Sequence, residues 1–254
     1  MQLAAHTTST FADRLDEAEV ALLPVGSVEQ HGPALPLGTD FFAAEGVAEA
    51  VGERDDTVLL PTLPVGVSEH HRQFHGTLWT EPETFEDYVF DVVQSVASHG
   101  VRKAVVVNGH GGNTEALQRA ARRLRRAEIA FAAPWSWWSN LGGLEEALFG
   151  TSGIGHADEL ETSMMQHLRG EHVREDRLDE AESGAAPAWG KSVHGAEVGF
   201  DTVDFSESGA VGKPTKGSAA AGEQLFERAT EELDALVDWL GEQAFDELLP
   251  EEHR

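Results

Sequence analysis

The sequence contains no cysteine, so disulfide bonds and thiolate chemistry are excluded. It also has no long apolar run, because none approaches the roughly 18 residues that a membrane-spanning helix requires. Its first residues are polar and do not form the basic and apolar segments of a secretory signal. From these absences we expect a cytoplasmic protein.

Basic residues are scarce, with 18 Lys and Arg against 45 Asp and Glu and a net charge of -27. Such a charge repels nucleic acid and anionic membranes, so neither is expected as a partner. The acidic residues are spread along the chain, and arginine is more frequent than lysine. This pattern suits molar salt, where electrostatic screening acts within a few ångströms. We therefore predict a halophilic protein.

Length and apolar patterning predict a single α/β domain over residues 1–254. Short apolar runs at 20–25, 58–63, 104–107 and 129–132 indicate strands, and helical patterns lie at about 41–53, 83–99, 114–127 and 218–244. Their alternation predicts a largely parallel sheet with helices on both faces. The segment 180–209, rich in Gly, Ala, Ser and acidic residues, predicts an irregular excursion that forms a flap or a subunit contact.

The segment 26–40, GSVEQHGPALPLGTD, follows the first strand and carries three metal-type ligands: Glu29, His31 and Asp40. In an extended chain, residues two apart point to the same side, so Glu29 and His31 could meet at one ion. A single Glu or His is more often a solvated or hydrogen-bonded side chain. Three such residues on one proline-stiffened loop favour a metal site.

A second motif, NGHGGN at 108–113, places His110 at the end of the strand predicted at 104–107. Its glycines allow a close approach of the backbone, and Asn113 is expected to cap the following helix. A tight turn that needs glycine for geometry alone is an alternative. A phosphate-binding loop is less favoured, because the dinucleotide glycine spacing and the P-loop lysine are absent.

A third motif, GHADELETS at 155–163, predicts a helix that runs to about residue 168. Within one helix, His156 and Glu161 would lie roughly 140° apart. We therefore expect His156 to lie just before the helix if both side chains face one site. An acidic first turn that complements the helix dipole is the alternative interpretation.

Together with GVSEHH at 66–71, FHGT at 74–77 and GAVGKP at 209–214, these motifs resemble the creatininase (creatinine amidohydrolase) family. The pieces occur in the order of the family and cover the chain from about residue 20 to 230. The resemblance implies a three-layer αβα sandwich that assembles into a homo-oligomer, commonly a hexamer.

The resemblance also implies a centre of two divalent metal ions per chain, zinc and/or manganese, with iron as a further candidate. By this resemblance Asp40 is the bridging carboxylate, and Glu29 and His110 bind one ion. His31 and Glu161 bind the other. A metal-activated water would then hydrolyse a C–N bond in a small-molecule substrate, a small cyclic amide or a formamide.

The catalytic residue that the resemblance implies is His156, beside the leaving group, where an imidazole could pass a proton to the departing nitrogen. The resemblance places Ser68, His70 and Gly111 near the substrate. Ordinary loop polarity explains Ser68 and His70 equally well.

The chain departs from the creatinine-cleaving members of the family at two places. Those members carry an aromatic residue and a glutamate where this chain has Gly111 and Gly112, and a Trp-Asp pair where it has Ser152 and Gly153. Creatinine is therefore disfavoured as the substrate. The glycine loop is similar to members acting on other amides, including the formamidopyrimidine nucleotide deformylase of riboflavin and deazaflavin synthesis and a peptidase of a small modified peptide.

Two other interpretations stay open: a non-catalytic family member, which would bind metal without turnover, and a metal-dependent phosphoesterase. The clustered Trp135, Trp137 and Trp138 favour core or interface packing over substrate stacking. We expect Lys213 to be a surface residue, in preference to one that binds a phosphate or carboxylate group of the substrate.

Overall fold

The computed structural model describes residues 1–150 and 153–251. The strands are β1 (Val20–Val25), β2 (Thr57–Leu59), β3 (Lys103–Asn108), β4 (Phe131–Ser136), β5 (Ser192–Val193) and β6 (Ala196–Glu197). The α-helices are α1 (Thr8–Ala12), α2 (Thr39–Gly52), α3 (Pro82–Ala97), α4 (Thr114–Arg126), α5 (Leu144–Phe149), α6 (Glu159–Arg169), α7 (Leu178–Ser183) and α8 (Ala219–Glu242). In this described part of the chain, no helix is both long and apolar enough to cross a membrane.

The central sheet has four parallel strands in the order β2-β1-β3-β4. Residues of β1 and β3 pair in register from Val20 with Lys103 to Val25 with Asn108. All six residues of each of these two strands are buried. Apart from Lys103 and Asn108 at the ends of β3, these strands are apolar, which is typical of a parallel sheet that is covered on both faces.

Two apolar cores lie on opposite faces of the sheet. Because side chains alternate along a strand, Leu22 faces one core and Leu23 faces the other. Helices α2, α6 and α8 pack on the Leu22 side, and α3 and α4 pack on the Leu23 side. The predicted three-layer αβα sandwich with a largely parallel sheet is therefore confirmed.

Two strand predictions differ from the structure by two residues or more in their bounds. The run predicted as a strand at 58–63 is a strand only over Thr57–Leu59, and residue Leu63 keeps a single bridge to Val25. The strand predicted at 129–132 starts two residues later and extends through Ser136, because the chain reverses at Glu128 with a φ of 55°. The excursion at 180–209 contains the end of α7 and the short β5-β6 hairpin.

Candidate active site

Buried carboxylates and histidines converge at the carboxyl ends of β1 and β3, where parallel α/β sheets commonly hold their active sites. Glu29 and His31 lie on the loop after β1, and His110 lies directly after β3. Asp40 is in the first turn of α2. None of these four residues is more than 5% exposed.

The start of α6 contributes the remaining two predicted residues. Asp158 is the helix N-cap and accepts hydrogen bonds from the backbone N–H groups of Leu160 and Glu161. This cap begins the helix after His156, whose backbone instead pairs with Val211. The expectation that His156 lies just before the helix is therefore confirmed, and both His156 and Glu161 face the cluster.

One ring nitrogen of His31 faces the cluster, and the other is held by the backbone. Its Nδ1 lies 3.2 Å from the carbonyl oxygen of Glu29, to which it donates. Its Nε2 therefore carries a lone pair, and it lies 3.0 Å from Asp40 Oδ1 and 3.6 Å from Glu161 Oε2. A backbone carbonyl that sets the tautomer in this way is common for histidines that bind metal.

His110 has the same arrangement with its nitrogens exchanged. Its Nε2 lies 3.0 Å from the carbonyl oxygen of Val67, to which it donates. Its Nδ1 lies 3.2 Å from Glu29 Oε1 and 3.2 Å from Asp40 Oδ2. The two oxygens of Asp40 thus face two different histidines, as a bridging carboxylate would.

The donor set fits a divalent metal ion. Buried polar atoms are nearly always hydrogen-bonded. Among the described residues, however, both carboxylate oxygens of Glu29, Nε2 of His31 and Oδ2 of Asp40 are buried without a hydrogen-bond partner. Candidate ligand atoms of Glu29, His31 and Asp40 all lie within 4.8 Å of one another. Carboxylate and imidazole groups suit zinc and manganese, and a cation would satisfy these atoms together.

The cluster is electrostatically coupled. Burial opposes the ionisation of Asp40, but His31 and His110 lower the pKa of this carboxyl group to about 2. Burial likewise opposes protonation of His31, but Asp40 and Glu161 raise its pKa well above the ordinary value. The pKa of His110 is also raised against burial, by Glu29 and Asp40. The histidine protons therefore compete with a metal ion for the same lone pairs.

His156 is held as a neutral imidazole. Burial, followed by the charge of His31, lowers the pKa of His156 to about 3. Its Nε2 lies 2.7 Å from the carbonyl oxygen and 2.9 Å from the side-chain amide nitrogen of Gln30, which leaves Nδ1 to face the ligands. That Nδ1 lies 3.7 Å from Glu29 Oε1, on the side of the cluster.

A cavity of about 720 Å³ opens over this cluster. Its floor includes Asp40, His110, His156 and Glu161. Its other lining residues are mainly aromatic, small or polar: His70, His71, Gly109, Gly111, Gly112, Thr114, Ser136, Trp138, Ser139, Ile154, Gly155, Trp189, Gly199, Phe200, Thr202 and Phe205. Among the described residues, no lysine or arginine lines the cavity.

The residues predicted near the substrate occupy different positions. His70 and Gly111 line the cavity. Ser68 is fully buried, and its hydroxyl group contacts the hydroxyl of Ser27 and the carbonyl oxygen of Leu78, at 2.8 and 2.9 Å. The position of Ser68 therefore favours support of the loop over contact with substrate.

The two glycines after His110 are not equivalent. A Cβ atom at Gly111 would meet nothing within 4 Å, whereas one at Gly112 would lie 2.3 Å from the carbonyl oxygen of Val67 and 2.5 Å from His110 Nε2. A glutamate at position 112 would thus displace the metal-type histidine or its anchor.

The second departure from the creatinine-cleaving members is at Ser152 and Gly153. Gly153 is among the residues that the structure describes, whereas Ser152 lies outside them.

Asn113 does not cap α4 as predicted. Its side chain makes no capping bond; instead, Oδ1 accepts from the N–H of Val67 at 2.9 Å, and Nδ2 donates to the carbonyl oxygen of Gly26 at 3.1 Å. Asn113 therefore ties together the three loops that carry Glu29, His71 and His110. These long-range partners compete successfully with the local helix end.

Three residues of the site were missed by sequence reasoning. His71 is fully buried, with Nε2 3.3 Å from Glu29 Oε1. Gln30 lies between His71 and His156, with Nε2 at 2.8 and 2.9 Å from their ring nitrogens. Trp189 packs edge-on against His70, His71 and Phe205. The doubled histidine at 70–71 was the sequence signal for His71, and Gln30 lies within the first motif, between Glu29 and His31.

The tryptophan cluster divides between core and cavity. Trp137 is buried in the core, at 1% exposure, and Trp135 packs against the same core from β4. Trp138 lines the cavity. Trp138 also packs against that core, so the predicted core packing is confirmed for all three tryptophans, and Trp138 is in addition available to a substrate.

Comparison with known proteins agrees with this fold. A family profile described as creatinine amidohydrolase (Creatininase) matches residues 4–237. The mycofactocin precursor peptide peptidase of Mycobacterium ulcerans is 35% identical over 214 residues, which cover 81% of this chain and 79% of that protein. The 3-dehydro-scyllo-inosose hydrolase of Thermotoga maritima is 28% identical over 256 residues, covering 92% and 79%. A solved structure of a creatininase mutant, of Zn-Zn type, matches with a TM-score of 0.80 at 23% identity, over 95% of this chain and 98% of that chain.

Proposed function

The chain belongs to the creatininase family, and from that premise we propose that it is a metal-dependent amidohydrolase that cleaves the amide bond of a short, mainly apolar peptide-like substrate. The observation that carries this proposal is a cavity of about 720 Å³ with aromatic walls above a buried set of metal-type ligands. The predicted small cyclic amide or formamide is the competing substrate class.

The residues that would hold the metal are arranged around Asp40. His110 lies beside one of its oxygens and beside Glu29, and His31 lies beside the other oxygen and beside Glu161. This division supports two ions, and the Zn-Zn type of the related creatininase structure is consistent with it. When bound, divalent ions lower the pKa of a coordinated water and polarise a carbonyl group.

His156 would move the proton that amide hydrolysis requires. Its Nδ1 faces the cluster, and the backbone carbonyl and side-chain amide of Gln30 hold the ring through Nε2. A proton that its Nδ1 accepted from the attacking water could then pass to the departing nitrogen. The leaving amine then departs with that proton, and the acyl half of the substrate departs as a carboxylate.

The size and polarity of the cavity favour a peptide-like amide. Pockets of about 300–1,000 Å³ hold drug-sized ligands, and a small ring such as creatinine would fill little of this one. Trp138, Trp189 and Phe205 offer apolar surface to side chains that flank the scissile bond. A phosphate-bearing nucleotide would find no lysine or arginine among the described lining residues. The similarity to the mycobacterial peptide peptidase supports the same choice.

A substrate panel tests this proposal. Blocked di- and tripeptides, creatinine and the formamidopyrimidine nucleotide would be incubated with the zinc- or manganese-loaded protein in high salt, and released amine and formate measured. We expect turnover of peptides with apolar side chains and its loss in Asp40→Asn. Asp16→Asn, the same change at an exposed position, is the matched control.

Each alternative has its own outcome in that panel. Turnover of creatinine or of the nucleotide with silent peptides would overturn the substrate class. Metal uptake without turnover of any compound would favour the non-catalytic interpretation, and hydrolysis of simple phosphate esters alone would favour a phosphoesterase.

A further inference from the structure

Among the described residues, His71 is the fully buried imidazole near the cluster that the proposed chemistry leaves without a role. It lies on a 3-10 turn, Glu69–His71, in the connection between β2 and α3. Its Nε2 has no hydrogen-bond partner among the described residues and lies 3.3 Å from Glu29 Oε1. The contacts of the other ring nitrogen, Nδ1, identify which nitrogen carries the proton.

The tautomer of His71 follows from its contact with Gln30. The amide oxygen of Gln30 accepts from the N–H of Gly32 at 2.9 Å, which identifies the atom facing His71 as the amide nitrogen. An amide nitrogen only donates, so His71 Nδ1 must accept its hydrogen bond. The ring proton is therefore on Nε2, the nitrogen that lies 3.3 Å from Glu29 Oε1.

Resting on the proposed function, we propose that His71 is a positioning residue that contacts Glu29 with its Nε2–H group and so sets the affinity of the ion that Glu29 and His110 bind. It is not itself a ligand, because its proton occupies the lone-pair position that a metal would need. Outer-shell partners of this kind orient ligating carboxylates and tune the metal.

The same histidine connects the ligand to the cavity wall. The hydroxyl group of Thr202 lies 2.9 Å from His71 Nδ1 and donates to it. Next to Thr202, Asp201 accepts two hydrogen bonds from Arg72, at 2.6 and 2.7 Å, and one from Gln73 at 2.6 Å. The segment 187–205, which carries Trp189, is thus anchored on the turn that carries His71.

Titration of the metal-free protein with Co²⁺ tests this role, followed by visible absorption and by competition with a chelator. In His71→Phe we expect one ion to bind about 10- to 100-fold more weakly, with the other affected by less than about 3-fold. His71→Gln keeps a donor near the Nε2 position and should restore most of the lost affinity. His99→Phe, the same change at an exposed position, is the matched control.

Thr202→Val tests the same connection from the other side, because valine keeps the shape and removes the donor. It should weaken the same ion by a smaller factor, and together with His71→Gln it carries the test if His71→Phe does not fold. Equal Co²⁺ affinities in wild type, His71→Phe and Thr202→Val would overturn the inference. A loss in His71→Gln as large as in His71→Phe would also overturn it, because direct ligation would then explain the data.

The outcomes separate this inference from the proposed function. If the wild-type protein binds Co²⁺ and cleaves peptides, and the variants bind Co²⁺ with unchanged affinity, only the proposed role of His71 is refuted. A wild-type protein that takes up no Co²⁺ would refute the metal centre and the inference together. Metal uptake with the predicted variant pattern but without turnover would support the inference and refute the catalytic proposal.

Discussion

Gly109→Ala should destabilise the protein and disturb the metal ligands, whereas Gly111→Ala, two residues along the same loop, should not. A Cβ atom at Gly109 would lie 2.0 Å from the carbonyl oxygen of Asp40 and 3.3 Å from the Cβ of Ala44. A Cβ at Gly111 would meet nothing within 4 Å. The two substitutions add the same methyl group, so they differ only in the space around it.

The magnitude follows from the overlap. Because Cβ atoms essentially never approach other heavy atoms below 3.0 Å, the backbone at Asp40 must retreat by roughly 1 Å. Overpacking typically costs about 1–3 kcal/mol, and here the obstacle is backbone at the start of α2 rather than a flexible side chain. We expect the free energy of unfolding to fall by about 3 kcal/mol, which lowers Tm by roughly 6–12 °C. For Gly111→Ala we expect a change within about 0.5 kcal/mol.

Denaturant and thermal unfolding of the metal-free proteins, with chelator and constant salt, would measure both variants. Co²⁺ titration would then report whether the displaced Asp40 still binds metal. We expect Gly109→Ala to lose stability and metal affinity together, and Gly111→Ala to lose neither. Indistinguishable unfolding free energies for the two variants would refute the reasoning, because no difference in local space would then matter.

Three further predictions concern charge. Asp40→Asn should reduce metal-dependent turnover by at least about 100-fold, with an unchanged circular dichroism spectrum, because it removes the carboxylate between the two histidines; retained turnover would contradict the assignment. Since the pKa values of His31 and His110 are raised in the metal-free fold, the stability they contribute is present below the unfolded-state pKa of about 6.5 and lost as pH rises through the folded-state values. Co²⁺ binding should accordingly release protons and become tighter as the pH rises. Calorimetry in buffers of different ionisation enthalpy measures the number of protons released, and a value of zero would contradict this prediction. With a net charge of -27, the free energy of unfolding should rise between dilute buffer and several molar KCl, and unchanged fold and activity across that range would count against the halophilic prediction.

Patterns that act locally were readable in the chain. Apolar runs bounded by turn residues predicted β1 over its full length and β3 to within a residue at each end, because a strand buried on both faces must be apolar throughout. The angular argument at the third motif placed His156 outside the helix, because helical geometry alone separates His156 from Glu161. These inferences needed only the chemistry and spacing of neighbouring residues.

Contacts between loops far apart in sequence were not readable. Asn113 looked like a helix cap, but it binds the loops that follow β1 and β2. Ser68 looked like a polar group for a substrate, but its hydroxyl group contacts Ser27 and Leu78 in the interior. In each case the side chain has a local and a distant partner, and only the folded arrangement decides between them.

The sequence by itself determined the class of sheet, the identities of the metal-type donors and the acidic surface, because these depend on residue type and short-range spacing. Only the tertiary structure decided that His71 lies beside Glu29 and Gln30 and that Gly112, unlike Gly111, has no room for a side chain. The physical reason is that buried hydrogen bonds and excluded volume arise between segments that the chain brings together only on folding.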